Sequence, residues 1–141
     1  MSEGKSRPLF FYGVLQPDLA EGAVADLVAG LGPGTPAFTT GQLYVVEERG
    51  GWHPALVYDP SGAPVRGQLF DGSGVDIAPL DAFELEGIDY DRRAIAVRPE
   101  GGHWTSAEAY CWRRPVTGLE SIDHGDFARW LQETGLPVLR G

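Results

Sequence analysis

Apolar and polar positions along this chain follow two rhythms, and the switches between them mark out its elements. Leu9, Phe10, Phe11 and Tyr12 form a short apolar run stopped by Gly13, which suits a buried strand entering a tight loop. Leu19, Ala23, Val24, Leu27, Val28 and Leu31 then recur at helical spacing, with Asp18 and Glu21 set as a capping box and Gly30 and Gly32 ending the pattern. Gly22 weakens this first helix. Three β-rich segments follow, Ala37 to Val46, Ala55 to Tyr58 and Val65 to Phe70, separated by Arg49-Gly50-Gly51 and Asp59-Pro60-Ser61-Gly62. The last two read as a hairpin. Gly67 inside the third marks a bulge or a place where another backbone or a ligand comes close, and the bulge is the simpler reading.

Helical rhythm returns at Ile77, Leu80, Phe83 and Glu84, with Asp76 available as N-cap and Gly87 as stop. Glu84 therefore occupies a position where an apolar side chain is expected. Arg93, Ile95 and Val97 alternate with Ala94 and Ala96, and Ala107 to Arg113 makes another strand, with Tyr110 and Trp112 on one face. Phe127, Trp130, Leu131 and Thr134 form a closing amphipathic helix, capped near Asp123 and ended by Gly135. The order is strand, helix, three strands, helix, two strands, helix. Such an order predicts an α+β, mostly antiparallel fold rather than alternating βαβ units.

Composition narrows the function. With 141 residues, 43% of them hydrophobic, the chain predicts one compact domain over 8–141 behind a short polar tail at 1–7. A formal charge of −9 with only eleven Lys and Arg opposes nucleic acid and anionic membranes as partners. The chain has no long apolar span and no secretory leader pattern at its start, so the expected location is cytoplasmic. Cys111 is the sole cysteine, and His53, His103 and His124 lie far apart, so no metal or other cofactor is expected. No Walker-type loop, serine elbow or dinucleotide fingerprint is present.

Between Leu80 and Arg93, five carboxylates crowd two arginines. This is where the chain resembles the γ-glutamylcyclotransferase-like superfamily, which includes the AIG2-like proteins and the γ-glutamylamine cyclotransferases. Leu80-Asp81-Ala82-Phe83-Glu84 is similar to the family's Leu-Asp-x-x-Glu, and Phe11-Tyr12-Gly13-Val14-Leu15 to its Tyr-Gly-Ser/Thr-Leu loop. Gly41-Gln42-Leu43-Tyr44, Trp52-His53-Pro54-Ala55-Leu56 and Val65-Arg66-Gly67-Gln68-Leu69-Phe70 resemble further family segments, and Tyr90, Arg92-Arg93, Ala109-Tyr110 and Ile122 to Phe127 follow at family-like distances. The resemblance runs from Phe10 nearly to Leu131. It implies a small, partly closed mixed β-barrel with flanking short helices, and a small-molecule γ-glutamyl substrate.

It also implies a reaction: the substrate's α-amine attacks its own γ-carbonyl, releasing 5-oxoproline from a γ-glutamyl amino acid or γ-glutamylamine. The carboxylate that moves the protons falls at Glu84, and Leu80 and Phe83 are placed to dehydrate it and raise its pKa. Glu86 competes, since it directly precedes Gly87, but it projects about 200° round the helix from Glu84. Tyr12, Gly13, Val14 and Leu15 would offer backbone N–H groups to an anion, Gly13 supplying close approach and unusual dihedrals. Val14 departs from the family's Ser or Thr, and Leu85-Glu86 is an insertion. Tyr90 and Tyr110 match pocket-lining positions, though a plain core role serves each equally well; Arg92 and Arg93 are read as surface partners of Asp81, Asp89 or Asp91. The other reading is a non-catalytic ligand-binding or interaction domain on the same fold.

Overall fold

The computed structural model describes residues 8–140, so the tail expected at 1–7 lies outside the described residues. Ten elements follow one another: β1 (Leu9–Phe11), α1 (Ala23–Leu27), β2 (Thr35–Glu48), β3 (Gly51–Tyr58), β4 (Ala63–Phe70), α2 (Ile77–Phe83), β5 (Tyr90–Pro99), β6 (Thr105–Trp112), β7 (Glu120–Ile122) and α3 (Phe127–Thr134). Five strands close a ring, in which β2 pairs β4, β4 pairs β1, β1 pairs β6, β6 pairs β5, and β5 returns to β2. Only the β1–β6 contact is parallel, which makes the barrel mixed.

β2 organises the rest. Its residues alternate, Ala37, Thr39, Gly41, Leu43 and Val45 being buried and their neighbours half-exposed, as expected of a strand with one face on a core. Thr39 is the polar member of that face, and its hydroxyl is satisfied by donating to the Ala96 carbonyl at 2.7 Å. Beyond the barrel, residues 43–45 of β2 pair with β7 while residues 41–48 pair with β3. Phe10, Phe70, Phe127, Leu43, Leu56 and Leu80 are fully buried in the core that these elements enclose. α2 contributes Leu80 to it, and α3 contributes Phe127 and Trp130, the latter against Trp52.

Several expectations change. Ala55–Tyr58 and Val65–Phe70 are not a hairpin: β3 and β4 both run antiparallel to β2, pairing with its later and earlier residues in turn. The Asp59–Gly62 turn is thus an excursion after which the chain keeps its direction along β2. Gly67 is not a bulge either, because the β2–β4 register runs unbroken through Ala37↔Gly67. A Cβ there would lie 2.4 Å from the Phe11 carbonyl oxygen, so the glycine admits the backbone at the end of β1. The first helix shrinks to five residues behind Gly22, and Asp18 accepts from the Gln68 side chain rather than capping it. α3 is capped by Asp126, which accepts from Arg129 N–H at 3.2 Å, while Asp123 is held by Ser121. Gly135 ends that helix with φ 69°, as the sequence predicts.

Candidate active site

The barrel carries the candidate residues to one place. β1 ends in Tyr12-Gly13-Val14-Leu15, a turn closed by Gln16 N–H donating to the Gly13 carbonyl at 3.0 Å. β3 brings His53 and Pro54, α2 ends at Glu84, β5 begins with Tyr90, and β6 supplies Tyr110. All seven residues singled out in the sequence, Tyr12, Gly13, Val14, Leu15, Glu84, Tyr90 and Tyr110, line a single cavity of about 410 Å³. Glu48, His53 and Asp89 line it too, and the sequence reading missed them. Only His53 left a signal, its place inside Trp52-His53-Pro54-Ala55-Leu56; Glu48 and Asp89 read as ordinary surface charge.

Gly13 earns its place by a different route from the one expected. Its φ is not in the left-handed region; instead a Cβ would stand 2.3 Å from Pro54 Cγ, so the loop lies flat on the Pro54 ring. Packed this way, the N–H groups of Gly13, Val14 and Leu15 find no acceptor among the described residues. Val14 and Leu15 are buried, so these are dehydrated donors at the cavity wall.

The tyrosines are spoken for. Tyr12 donates to the Tyr110 carbonyl and accepts from Leu56 N–H at 3.3 Å. Tyr90 donates to the Pro54 carbonyl at 2.7 Å, and Tyr110 donates to Asp81 Oδ1 at 2.6 Å. Burial raises the pKa of all three phenols, so each keeps its proton. No tyrosine proton is left for a bound anion, which leaves the loop amides and the Arg49 guanidinium at the cavity rim to receive a ligand carboxylate or oxyanion.

Glu84 is the C-cap of α2, with its N–H donating to the Leu80 carbonyl at 3.0 Å. The chain turns away at once through Leu85, whose φ of 52° is left-handed. Leu85 N–H returns to Ala82 and Glu86 N–H to Asp81 at 3.0 Å, the paired bonds of a Schellman ending with leucine where glycine is usual. The helix therefore stops before Gly87, and the turn separates the two glutamates. Glu84 is half-buried against the cavity, whereas Glu86 is exposed, does not line the cavity, and accepts from Arg92 N–H. Burial, then the charges of Asp89 and Glu48, lifts the Glu84 pKa to about 8.

Asp81 ties the helix to the barrel by gripping Arg92 through two oxygens, at 2.9 and 3.2 Å, and by receiving the Tyr110 hydroxyl. Arg92 also binds Glu108. The other expected pairings shift partner: Asp89 meets Arg114 and Asp91 meets Arg113, while Arg93 lies 6.0 Å from the Tyr58 ring centre. Cys111 is buried and its thiol pushed up to about 11, mainly by burial, which keeps it inert. No described helix is long and apolar enough to cross a membrane.

This arrangement is a family's. Residues 9–130 match the model of the family described as gamma-glutamyl cyclotransferase, AIG2-like, and the chain belongs to that family. It is 34% identical over 86 residues to the gamma-glutamylcyclotransferase family protein YtfP of Escherichia coli K12, a stretch covering 61% of this chain and 66%, just under two thirds, of that protein. The fold is similar to the crystal structure of an AIG2-like protein from Mus musculus, with TM-score 0.69 and 20% identity over 96% of each chain. It also resembles YkqA from Bacillus subtilis, with TM-score 0.61 and 20% identity, over 92% of this chain and 42% of that one.

Proposed function

We propose that the protein is a cyclotransferase that releases 5-oxoproline from a γ-glutamyl amino acid or γ-glutamylamine. One observation supports this above all: a carboxyl group with raised proton affinity and three buried residues whose N–H groups have no acceptor among the described residues line one cavity. The cavity is of a size suited to a small molecule.

In this reading Glu84 takes a proton from the substrate's α-ammonium. The freed amine attacks the γ-carbonyl carbon, forming the lactam C–N bond and placing negative charge on oxygen. The amides of residues 13–15 receive that charge or the substrate carboxylate, a task that needs donors fixed beforehand. Glu84 then returns its proton to the departing nitrogen as the original C–N bond breaks, and the second proton shed by the attacking nitrogen leaves on the released amine as its ammonium, so the lactam is neutral and the enzyme ends as it began. Nucleophile and electrophile share one molecule, so much of the acceleration comes from holding the glutamyl chain bent. Val14 costs the family's hydroxyl contact in the loop and leaves the backbone donors in place.

The test is 5-oxoproline release from a panel of γ-glutamyl dipeptides and γ-glutamylamines. Glu84→Gln keeps the shape and cannot carry the proton, so kcat falls by about 100-fold or more. Glu86→Gln stays within about twofold, as expected of an exposed group outside the cavity. A wild-type protein silent on the whole panel, yet shifted in melting temperature by γ-glutamyl compounds, would be a binding domain instead.

A further inference from the structure

His53 brings an unexplained buried atom to the cavity wall. Its side chain keeps only 7% of its surface exposed. Two contacts define where its protons sit. Tyr90 spends its one hydroxyl proton on the Pro54 carbonyl at 2.7 Å, so the 2.8 Å contact between that hydroxyl and His53 Nδ1 needs the proton on nitrogen. Nδ1 is therefore a donor, and in the neutral ring Nε2 carries the lone pair. That lone pair faces a carboxylate: Nε2 stands 3.2 Å from Glu48 Oε1, off the line of a hydrogen bond, and has no hydrogen-bond partner among the described residues. A buried lone pair and a half-exposed carboxylate at that distance repel unless a proton comes between them.

The surroundings bear on that proton from every side. Glu48 and Arg49 approach from the β2–β3 turn, Glu84 from the end of α2, Asp89 and Tyr90 from the start of β5, Tyr12 from the loop after β1, and the Trp112 ring from β6. Burial is the largest influence and holds the proton affinity of His53 below its ordinary value, although Glu48 and the charge of Asp89 pull the other way. Arg49 lies 3.8 Å from Glu48 Oε2, an exposed and weak pairing that leaves this oxygen able to receive a ligand.

We propose that His53 is a positioning residue: its Nδ1–H holds Tyr90 against Pro54, and its Nε2 lone pair together with Glu48 receives the substrate's α-ammonium at the cavity wall, the ammonium supplying the proton that this pair lacks. The role rests on the cyclotransferase reading. Tyr90 walls the site because its hydroxyl is saturated from both sides. Glu48 presents its second oxygen to the ammonium, and Glu84 then takes the proton. His53 has no net gain or loss of protons in turnover.

Two substitutions separate the ends of the ring. His53→Asn keeps a donor near the Nδ1 position and loses the group facing Glu48; His53→Gln does the reverse. For γ-glutamyl substrates, His53→Asn and Glu48→Gln are expected to raise KM about tenfold with kcat changed far less. His53→Gln, which loses the bond to Tyr90 and keeps a group facing Glu48, is expected to raise KM less, by about threefold. Equal KM changes in the two His53 variants, or an unchanged KM in Glu48→Gln, overturn the proposal. Should the His53 variants fail to fold, nitrogen-15 NMR of the wild type and of the half-exposed Glu48→Gln variant decides. The expected result is an Nδ1–H ring whose titration midpoint drops when the Glu48 charge is removed; an Nε2–H ring, or a midpoint that does not move, overturns it. A wild type silent on every γ-glutamyl compound sinks the cyclotransferase reading and the ammonium role with it, while the spectrum still settles the proton arrangement.

Discussion

At the scale of single residues, Glu84 is a destabilising element in alkaline solution. Its folded pKa of about 8 lies above the ordinary carboxyl value of 4.5, so between these limits the folded chain holds a proton that the unfolded chain has released. Stability from this source is fully present at about pH 4.5 and is lost as pH rises through 8. Glu84→Gln removes the liability, so the difference in melting temperature between variant and wild type should grow in the variant's favour from pH 5 to pH 9. A constant difference over that range would mean that the carboxyl is hydrated in the folded protein. The same proton governs turnover: kcat/KM should climb with pH toward about 8, because only the ionised Glu84 can act as base.

At the scale of elements, the chain is legible where side chains repeat and opaque where backbone geometry decides. The burial alternation of β2 and the apolar faces of α2 and α3 can be read directly, because hydrophobic period reports burial. β7 escapes notice because Glu120-Ser121-Ile122 is three residues long and pairs only through β2. The false hairpin has a similar origin, since Asp59-Pro60-Ser61-Gly62 has the residues of a reversal and nothing local reveals that β2 spans both flanking strands. The candidate site was legible through Tyr12 to Leu15, Glu84, Tyr90 and Tyr110, whose spacing resembles a family pattern. Glu48 was not, because it is folding that brings it near Glu84, and Asp89, though close to Glu84 in sequence, reads as a surface partner of an arginine. The ending of α2 carries its own prediction. Leu85 is left-handed and 43% exposed, so it bears backbone strain and buries little. Leu85→Gly should raise stability by about 0.5–1 kcal/mol in urea unfolding, with relief of strain partly offset by the freer unfolded glycine. A loss instead would show that the leucine's packing at the cavity edge outweighs its strain.

At the scale of the whole molecule, three residues close the barrel. β1 is short, yet Leu9, Phe10 and Phe11 are all buried, and the strand pairs with β4 on one side and β6 on the other. Hydrogen exchange should therefore protect the paired β1 amides as strongly as those of β4, with exchange only on global unfolding. Early exchange would show that β1 frays and the barrel opens there.

The parallel contact between β1 and β6 joins Leu9 to Glu108, with β2 to β5 lying between them in the chain. During synthesis β1 leaves the ribosome well before its partner on that side, which must wait until β2 to β5 have been made. Until then the aromatic segment at residues 10–12 has an unmatched edge, open to pairing with a neighbouring nascent chain. Because that segment leads straight into the loop at residues 13–15, the candidate site is among the last parts of the molecule to acquire its shape, and a stalled or truncated product would be sticky before its cavity had formed.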